Sequence, residues 1–256
     1  MLLKTVKEKN SLGYNYVYET KQSIFVFNMN RIKHSHSILA AFIFTFSSCA
    51  NSSNNNNKIV KLNSFMMTQH IETLSNGIDT ATFASGCFWC TEAIFLELKG
   101  VLKVESGYTG GTIKNPSYKE ICSGLTGHAE VIQLTYDPKV ISFDELLEVF
   151  WKTHDPTTLN KQGADAGTQY RSAVFYHNTS QKKLAERYKK ELDASKAFNN
   201  PIVTELTAAT KFYKAEGYHQ NYFNQNGDQP YCSYVIQPKL DKFRKVFPDK
   251  LKRGKM

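Results

Sequence analysis

The segment of this chain that most restricts its fold is a short strand that runs into Gly86 and then into Cys87 at the mouth of a helix. Residues 80–84 are β-prone, and residues 91–98 place Ile94, Phe95 and Leu98 at helical spacing. Gly100, preceded by Lys99, closes that helix. Between strand and helix stands Phe83-Ala84-Ser85-Gly86-Cys87-Phe88-Trp89-Cys90-Thr91-Glu92, which leaves room only for a tight turn of the kind glycine permits. A cysteine there meets unpaired N–H groups and the positive end of the helix dipole, so a lowered thiol pKa and a reactive thiolate are expected. The plainer reading is a buried core cysteine. Phe88 and Trp89 stand ready to wall an apolar pocket.

The Cys87-x-x-Cys90 spacing supports several chemistries. A structural zinc site wants four ligands and no second pair is present. A thioredoxin-type couple has different flanking sequence. The cysteine-protease signature has a Cys-Gly-Ser-Cys order that is missing here, and no His and Asn partners stand at its distances. The five cysteines, Cys49, Cys87, Cys90, Cys122 and Cys232, are an odd number and not a disulfide framework.

The N-terminal part divides in two. Residues 1–28 show no clear period and read as upstream over-translation, with Met29 as the start. Residues 29–49 run from basic (Arg31, Lys33, His34) through apolar (38–46) to Ser47-Ser48-Cys49, the layout of a secretory signal that resembles a bacterial lipoprotein signal with Cys49 lipidated. Phe46 departs from the aliphatic residue usual there. The apolar run is too short to span a bilayer, which takes roughly 20 residues. An Asn-rich polar tether follows over 50–77. A cell-envelope location follows, periplasmic or anchored in the outer membrane, with a leader on a cytoplasmic enzyme as the alternative. The formal charge is +9, much of it at the chain ends. It reads as solvated helix face and a basic tail over 249–256. Nucleic acid is not expected as a partner, because no stacking aromatics interleave the charges.

The folded domain is expected over 78–248. Strands read at 101–107, 129–136, 172–176 and 203–206, with residues 108–111 as a loop. Ser142 with Glu145 makes a capping box for a helix. Thr179 caps a long amphipathic helix through Asp193, residues 155–167 are turn-rich, and residues 216–225 read as helical. Short strands interleaved with helices predict an α+β fold, a two-layer sandwich of a small mixed, mostly antiparallel sheet with helices and a ferredoxin-like core.

Three more clusters carry the functional reading. They are Ser106-Gly107-Tyr108-Thr109-Gly110-Gly111 with Asn115-Pro116-Ser117-Tyr118; Cys122-Ser123-Gly124-Leu125-Thr126-Gly127-His128-Ala129-Glu130; and His154-Asp155-Pro156-Thr157 continuing through Gly163-Ala164-Asp165-Ala166-Gly167-Thr168-Gln169-Tyr170-Arg171-Ser172. With the Gly-Cys-Phe-Trp segment and in this order, the sequence over roughly 78–235 resembles the A-class peptide methionine sulfoxide reductases.

The resemblance implies reduction of methionine S-sulfoxide, free or in peptides and proteins, as oxidative damage repair. A thiol attacks a sulfoxide sulfur only when the oxygen is protonated or strongly hydrogen-bonded. The resemblance accordingly makes Cys87 the nucleophile, Glu130 the acid, Tyr118 and Tyr170 the donors to the oxygen, Asp165 an assisting group, and Phe88 and Trp89 the methyl pocket. A buried carboxylic acid keeps its proton near neutral pH, which suits Glu130. Ala166 stands where many relatives carry His. The sulfenic acid left on Cys87 condenses with a second thiol. Cys90 and Cys232 are the candidates, Cys232 being favoured as the residue near the C-terminal end, while Cys122 reads as packed and inert. The implied reductant is thioredoxin or another dithiol, with no metal and no bound cofactor, in a monomer that Cys49 tethers to a membrane. Two other functions stay open: a thiol–disulfide exchange protein built on Cys87 and Cys90, which has no need of Glu130, Tyr118 or Tyr170, and an inactive surface lipoprotein.

Overall fold

The computed structural model describes residues 77–252 and 254, and in the N-terminal part the strands Lys4–Asn10, Gly13–Thr20 and Ser23–Asn28. Those three strands pair as an antiparallel meander, in a stretch whose sequence shows no clear period. It belongs to a separate compact unit, Met1–Val60. The expected signal with Cys49, and the tether before Gly77, lie outside the described residues.

The folded domain that follows is a six-stranded sheet with helices. In chain order it runs β1 (Asp79–Ser85), α1 (Phe88–Leu96), β2 (Val101–Thr109), α2 (Tyr118–Cys122), β3 (Ala129–Tyr136), α3 (Phe143–Thr153), β4 (Ser172–Tyr176), α4 (Thr179–Ala194), β5 (Glu205–Ala208), β6 (Tyr213–Lys214), α5 (Tyr222–Gln225) and α6 (Gln237–Val246). The sheet order is β5-β4-β1-β3-β2-β6. The four central strands are antiparallel to one another, β5 pairs parallel to β4, and β6 pairs antiparallel to β2. The central order β4-β1-β3-β2, with α1 after β1 and α3 after β3, is the expected ferredoxin-like core.

Side-chain alternation with period two divides the sheet into faces. Ala81, Phe83, Ile132, Leu134, Tyr136 and Val174 join the main core with Phe95, Leu146, Leu147 and Phe150 of the helices. Ala84, Ala129, Val131, Ala173 and Phe175 point the other way, against Ala209 and Phe212. Glu130 shares the parity of Ile132 and Leu134, so it stands on the helical face, opposite Tyr108 in the pairing register. The strands thus deliver a carboxyl group under α1.

Local signals held where they were self-contained. The Ser142 capping box forms as expected, with Ser142 Oγ accepting the Glu145 N–H and the Glu145 carboxylate accepting the Ser142 N–H. Where tertiary contacts compete, the boundaries moved. The cap of α4 is Asn178, whose side chain accepts the Gln181 N–H at 2.9 Å, with Thr179 already the first helical residue. β2 extends through Tyr108 and Thr109, because both find partners on β3. The strand expected at 203–206 begins only at Glu205, since the Val203 N–H is given to Pro156 O. Residues 216–225 form no continuous helix: a 3-10 turn at Gly217–His219 and the short α5 flank Asn221, which is left-handed at φ 52°. The cause is the buried Glu92 carboxylate, which accepts the Asn221 and Tyr222 N–H groups at 2.8 and 3.2 Å. The start of the expected C-terminal tail packs on the domain. Leu251 is buried and bridged to Leu98, and Lys250 Nζ sits 2.8 Å from Glu145. Arg244 on α6 likewise pairs with Glu97, so part of the basic excess is neutralised within the domain.

Candidate active site

Gly86 makes the turn out of β1 at φ +90°, and a Cβ there would meet Cβ and Cγ of Gln162 at 2.6 Å. The turn sets Cys87 as the N-cap of α1, with the N–H groups of Cys90 and Thr91 directed to its carbonyl. The first free N–H of the helix, that of Phe88, is donated to Glu130 Oε2 at 3.1 Å. Helix start and strand residue are thereby locked together. Cys87, Phe88, Trp89 and Glu130 line a cavity of about 50 Å³ together with Tyr118, Tyr170, Asp165 and Tyr231. All seven residues expected for catalysis and methyl binding therefore meet at one place.

Each wall has its own support. Tyr118 opens α2, and Glu216 accepts its backbone N–H at 2.9 Å and the Tyr108 hydroxyl at 2.9 Å. Tyr170 ends a 3-10 turn held by Thr168 Oγ1 on Gly124 O (3.0 Å) and by Arg171, which donates to Thr168 O and Gly127 O. Asp165 lies in a tiny hairpin, paired with Gln162, and accepts the Tyr231 hydroxyl at 2.8 Å. Trp89 stacks on Tyr222 at 3.7 Å with 7° between planes, and its Nε1 donates to His219 Nδ1 at 3.1 Å. Phe88 is buried against Tyr108 and the His219 ring.

The electrostatics differ from expectation at the nucleophile. Burial pushes the Cys87 thiol well above its ordinary value, and its hydrogen bond with Cys90 and the charge of Glu130 add to this. The expected lowering by the helix terminus is overridden, because α1 is enclosed between the sheet and the C-terminal helical segments. The low-pKa partner is Cys90. Its hydrogen bond with Cys87, and then the Lys239 charge and the Tyr231 hydroxyl, hold it below the usual thiol range against the cost of burial. Glu130 is 1% exposed, and burial raises its carboxyl to about 8 despite the Phe88 N–H; the charges of Asp165 and Cys90 push the same way. Burial likewise keeps the Tyr118 and Tyr170 hydroxyls protonated, as donors.

The remaining thiols separate clearly. Cys232 is fully buried in the turn Cys232–Ile236, in one apolar cluster with Cys87, Cys90 and Ala93, and burial raises its thiol. Cys122 corrects an expectation: it is exposed at the end of α2, because Ile121 is the residue that faces inward from that short helix. Sequence reasoning did not single out Tyr231, Glu216, His219, Glu92 or Lys239. Tyr231 had a signal in its place next to Cys232; the other four act across 98 or more positions of sequence, where no local pattern marks them.

Known proteins resemble this chain over most of its folded part. The pattern of the family described as peptide methionine sulfoxide reductase matches residues 79–251. Peptide methionine sulfoxide reductase MsrA of Trichodesmium erythraeum is 53% identical over 174 residues, 68% of this chain and 98% of the relative. Among solved structures, Mxr1 of Saccharomyces cerevisiae in reduced form superposes with a TM-score of 0.56 at 37% identity, over 61% of this chain and 90% of that one. Methionine sulfoxide reductase A of Corynebacterium diphtheriae gives 0.53 at 37% identity, over 59% and 76%.

Proposed function

The chain belongs to the peptide methionine sulfoxide reductase family, and from that premise we propose how its own residues reduce methionine S-sulfoxide. The observation that carries the reading is the buried carboxyl of Glu130 held against the helix start that presents Cys87, where burial raises it to about 8. The sulfoxide methyl group enters against Phe88 and Trp89. Its oxygen takes hydrogen bonds from Tyr118 and Tyr170 and a proton from Glu130. Cys87 sulfur attacks the sulfoxide sulfur, and its thiol proton replaces the one Glu130 gave. Collapse leaves methionine and a Cys87 sulfenic acid, so that one thiol and one sulfoxide become one sulfenic acid and one thioether. Asp165 takes part through the Tyr231 hydroxyl it holds.

Resolution falls to Cys90 in this reading, rather than to the Cys232 favoured from sequence. Cys90 is one helical turn from Cys87, its N–H on the Cys87 carbonyl at 3.2 Å, and has the more acidic thiol, whereas burial raises the thiol of Cys232. The disulfide is then reduced by thioredoxin or another dithiol. A disulfide-exchange protein would make no use of a protonated Glu130 or of two tyrosine hydroxyls facing the thiol. A cell-envelope location with Cys49 lipidated rests on the sequence of 29–57 alone. Labelling with a radioactive fatty acid, retained by the wild type and absent from Cys49→Ala, tests it; equal labelling would remove it.

The deciding experiment supplies the two separated sulfoxide epimers to the protein with excess dithiothreitol, beside Cys87→Ser and Glu130→Gln. Consumption of the S epimer alone, abolished by the first variant and slowed by the second, is the expected result. Turnover undiminished in Glu130→Gln would remove the proposed acid.

A further inference from the structure

Lys239 lies on α6, far in sequence from the motifs that build the site, yet its ammonium Nζ is 3.7 Å from Cys90 Sγ. The Tyr231 hydroxyl reaches the same sulfur at 3.7 Å. Cys90 is 4% exposed, so an anion on its sulfur is poorly hydrated and depends on these two donors. Lys239 does not line the cavity that receives the sulfoxide. It contacts the sulfur that acts after methionine has formed, and its charge is also felt by the buried His154.

We infer that Lys239 is a positioning residue for the second half of the reaction, holding Cys90 as a thiolate aimed at the Cys87 sulfenic acid. The inference rests on the reading of Cys90 as resolving thiol. In the step it serves, Cys90 sulfur forms the S–S bond, the Cys87 S–O bond breaks, and the hydroxyl leaves as water with the proton that the Cys90 thiol had given up. Cys90 sulfur is oxidised and Cys87 sulfur reduced, and the Lys239 ammonium is unchanged at the end. The other ionisable groups that face Cys90 are Cys87 on its own helix, Tyr231 and Cys232 on the C-terminal segment, Asp165 on the loop hairpin and Glu130 on β3. Among them Lys239 is the cation. An opposite charge at this distance shifts a thiol by about one unit or more. The gain in thiolate is partly offset by lower intrinsic nucleophilicity, which leaves a benefit of roughly threefold to tenfold below neutrality.

The experiment is a single turnover of the reduced full chain with one equivalent of methionine sulfoxide and no reductant. Methionine release and the decay of sulfenic acid, trapped with dimedone, are followed from about pH 6 to about pH 9. In Lys239→Met, which keeps the length of the side chain, methionine should form at the wild-type rate. Sulfenic acid should persist roughly threefold to tenfold longer at pH 6, with the deficit closing near pH 9. Lys239→Arg should restore the fast decay. Decay at the wild-type rate across the pH range in Lys239→Met would overturn the role, as would equal slowing of both steps or a deficit that pH does not relieve. Cys90→Ser separates the two ideas. Persistent sulfenic acid in that variant together with normal decay in Lys239→Met would sink the lysine alone, whereas rapid disulfide formation in Cys90→Ser would sink Cys90 as resolver and Lys239 with it.

Discussion

Glu130 Oε2 accepts the backbone N–H of Phe88 at 3.1 Å, so the proposed acid is fixed to the residue that follows the proposed nucleophile. Its burial raises the carboxyl to about 8. The protonated form is the working one, so methionine formation in a single turnover should be fast below that value and decline as pH rises through it. Glu130→Gln should be about a hundredfold slower or worse and should lose that decline. Rapid-quench measurement of methionine against pH checks both.

The same group makes a stability prediction of opposite sign to the usual carboxylate. The folded protein keeps the Glu130 proton between the ordinary carboxyl value of 4.5 and about 8, while the unfolded chain loses it. The folded state therefore binds more protons in that window, and stability falls as pH rises through it. Thermal melts should show Glu130→Gln gaining on the wild type at pH 8.5 and gaining little at pH 5.

Glu92 stands apart from the reacting atoms, but its buried carboxylate holds both backbone N–H groups that place Tyr222 under Trp89. Glu92→Gln leaves one of them with a neutral acceptor and the other facing an NH2 donor, and should cost about 1–3 kcal/mol in urea unfolding. It should also raise the KM for sulfoxide more than it lowers kcat, since a wall of the pocket moves and the acid does not.

Gly86→Ala combines a left-handed backbone with a contact at 2.6 Å to Gln162. The expected cost is about 1–3 kcal/mol or more. Because relief requires the Cys87 turn or the Gln162 loop to shift, the rate of methionine formation should fall with stability. Denaturant melts and single turnovers on one preparation test whether the two losses go together.

Tyr231→Phe removes the hydroxyl that Asp165 accepts at 2.8 Å and that reaches Cys90. A drop of roughly tenfold in kcat/KM is expected from the loosened loop hairpin, together with slower decay of the sulfenic acid. Intact rates for both steps would assign Tyr231 to packing alone.

What the sequence determined by itself was local chemistry. A glycine before a cysteine at a helix start, a Ser–Glu capping box, and strand alternation that sends Glu130 to the same face as Ile132 and Leu134 are written within a few residues of one another. These placed β1, α1, β3 and α3, and with the ordered motifs they named the residues that line the cavity, Tyr231 excepted. Only the tertiary structure decided the charge states and the supports. Enclosure of α1 between sheet and C-terminal segment turned Cys87 from an expected thiolate into a thiol and passed the lower pKa to Cys90 beside Lys239. The break at Asn221, the anchoring of Tyr118 by Glu216, and the exposure of Cys122 likewise depend on partners far along the chain. The physical reason is that desolvation and long-range hydrogen bonds are properties of what surrounds a group after folding, and spacing along the chain carries no record of them.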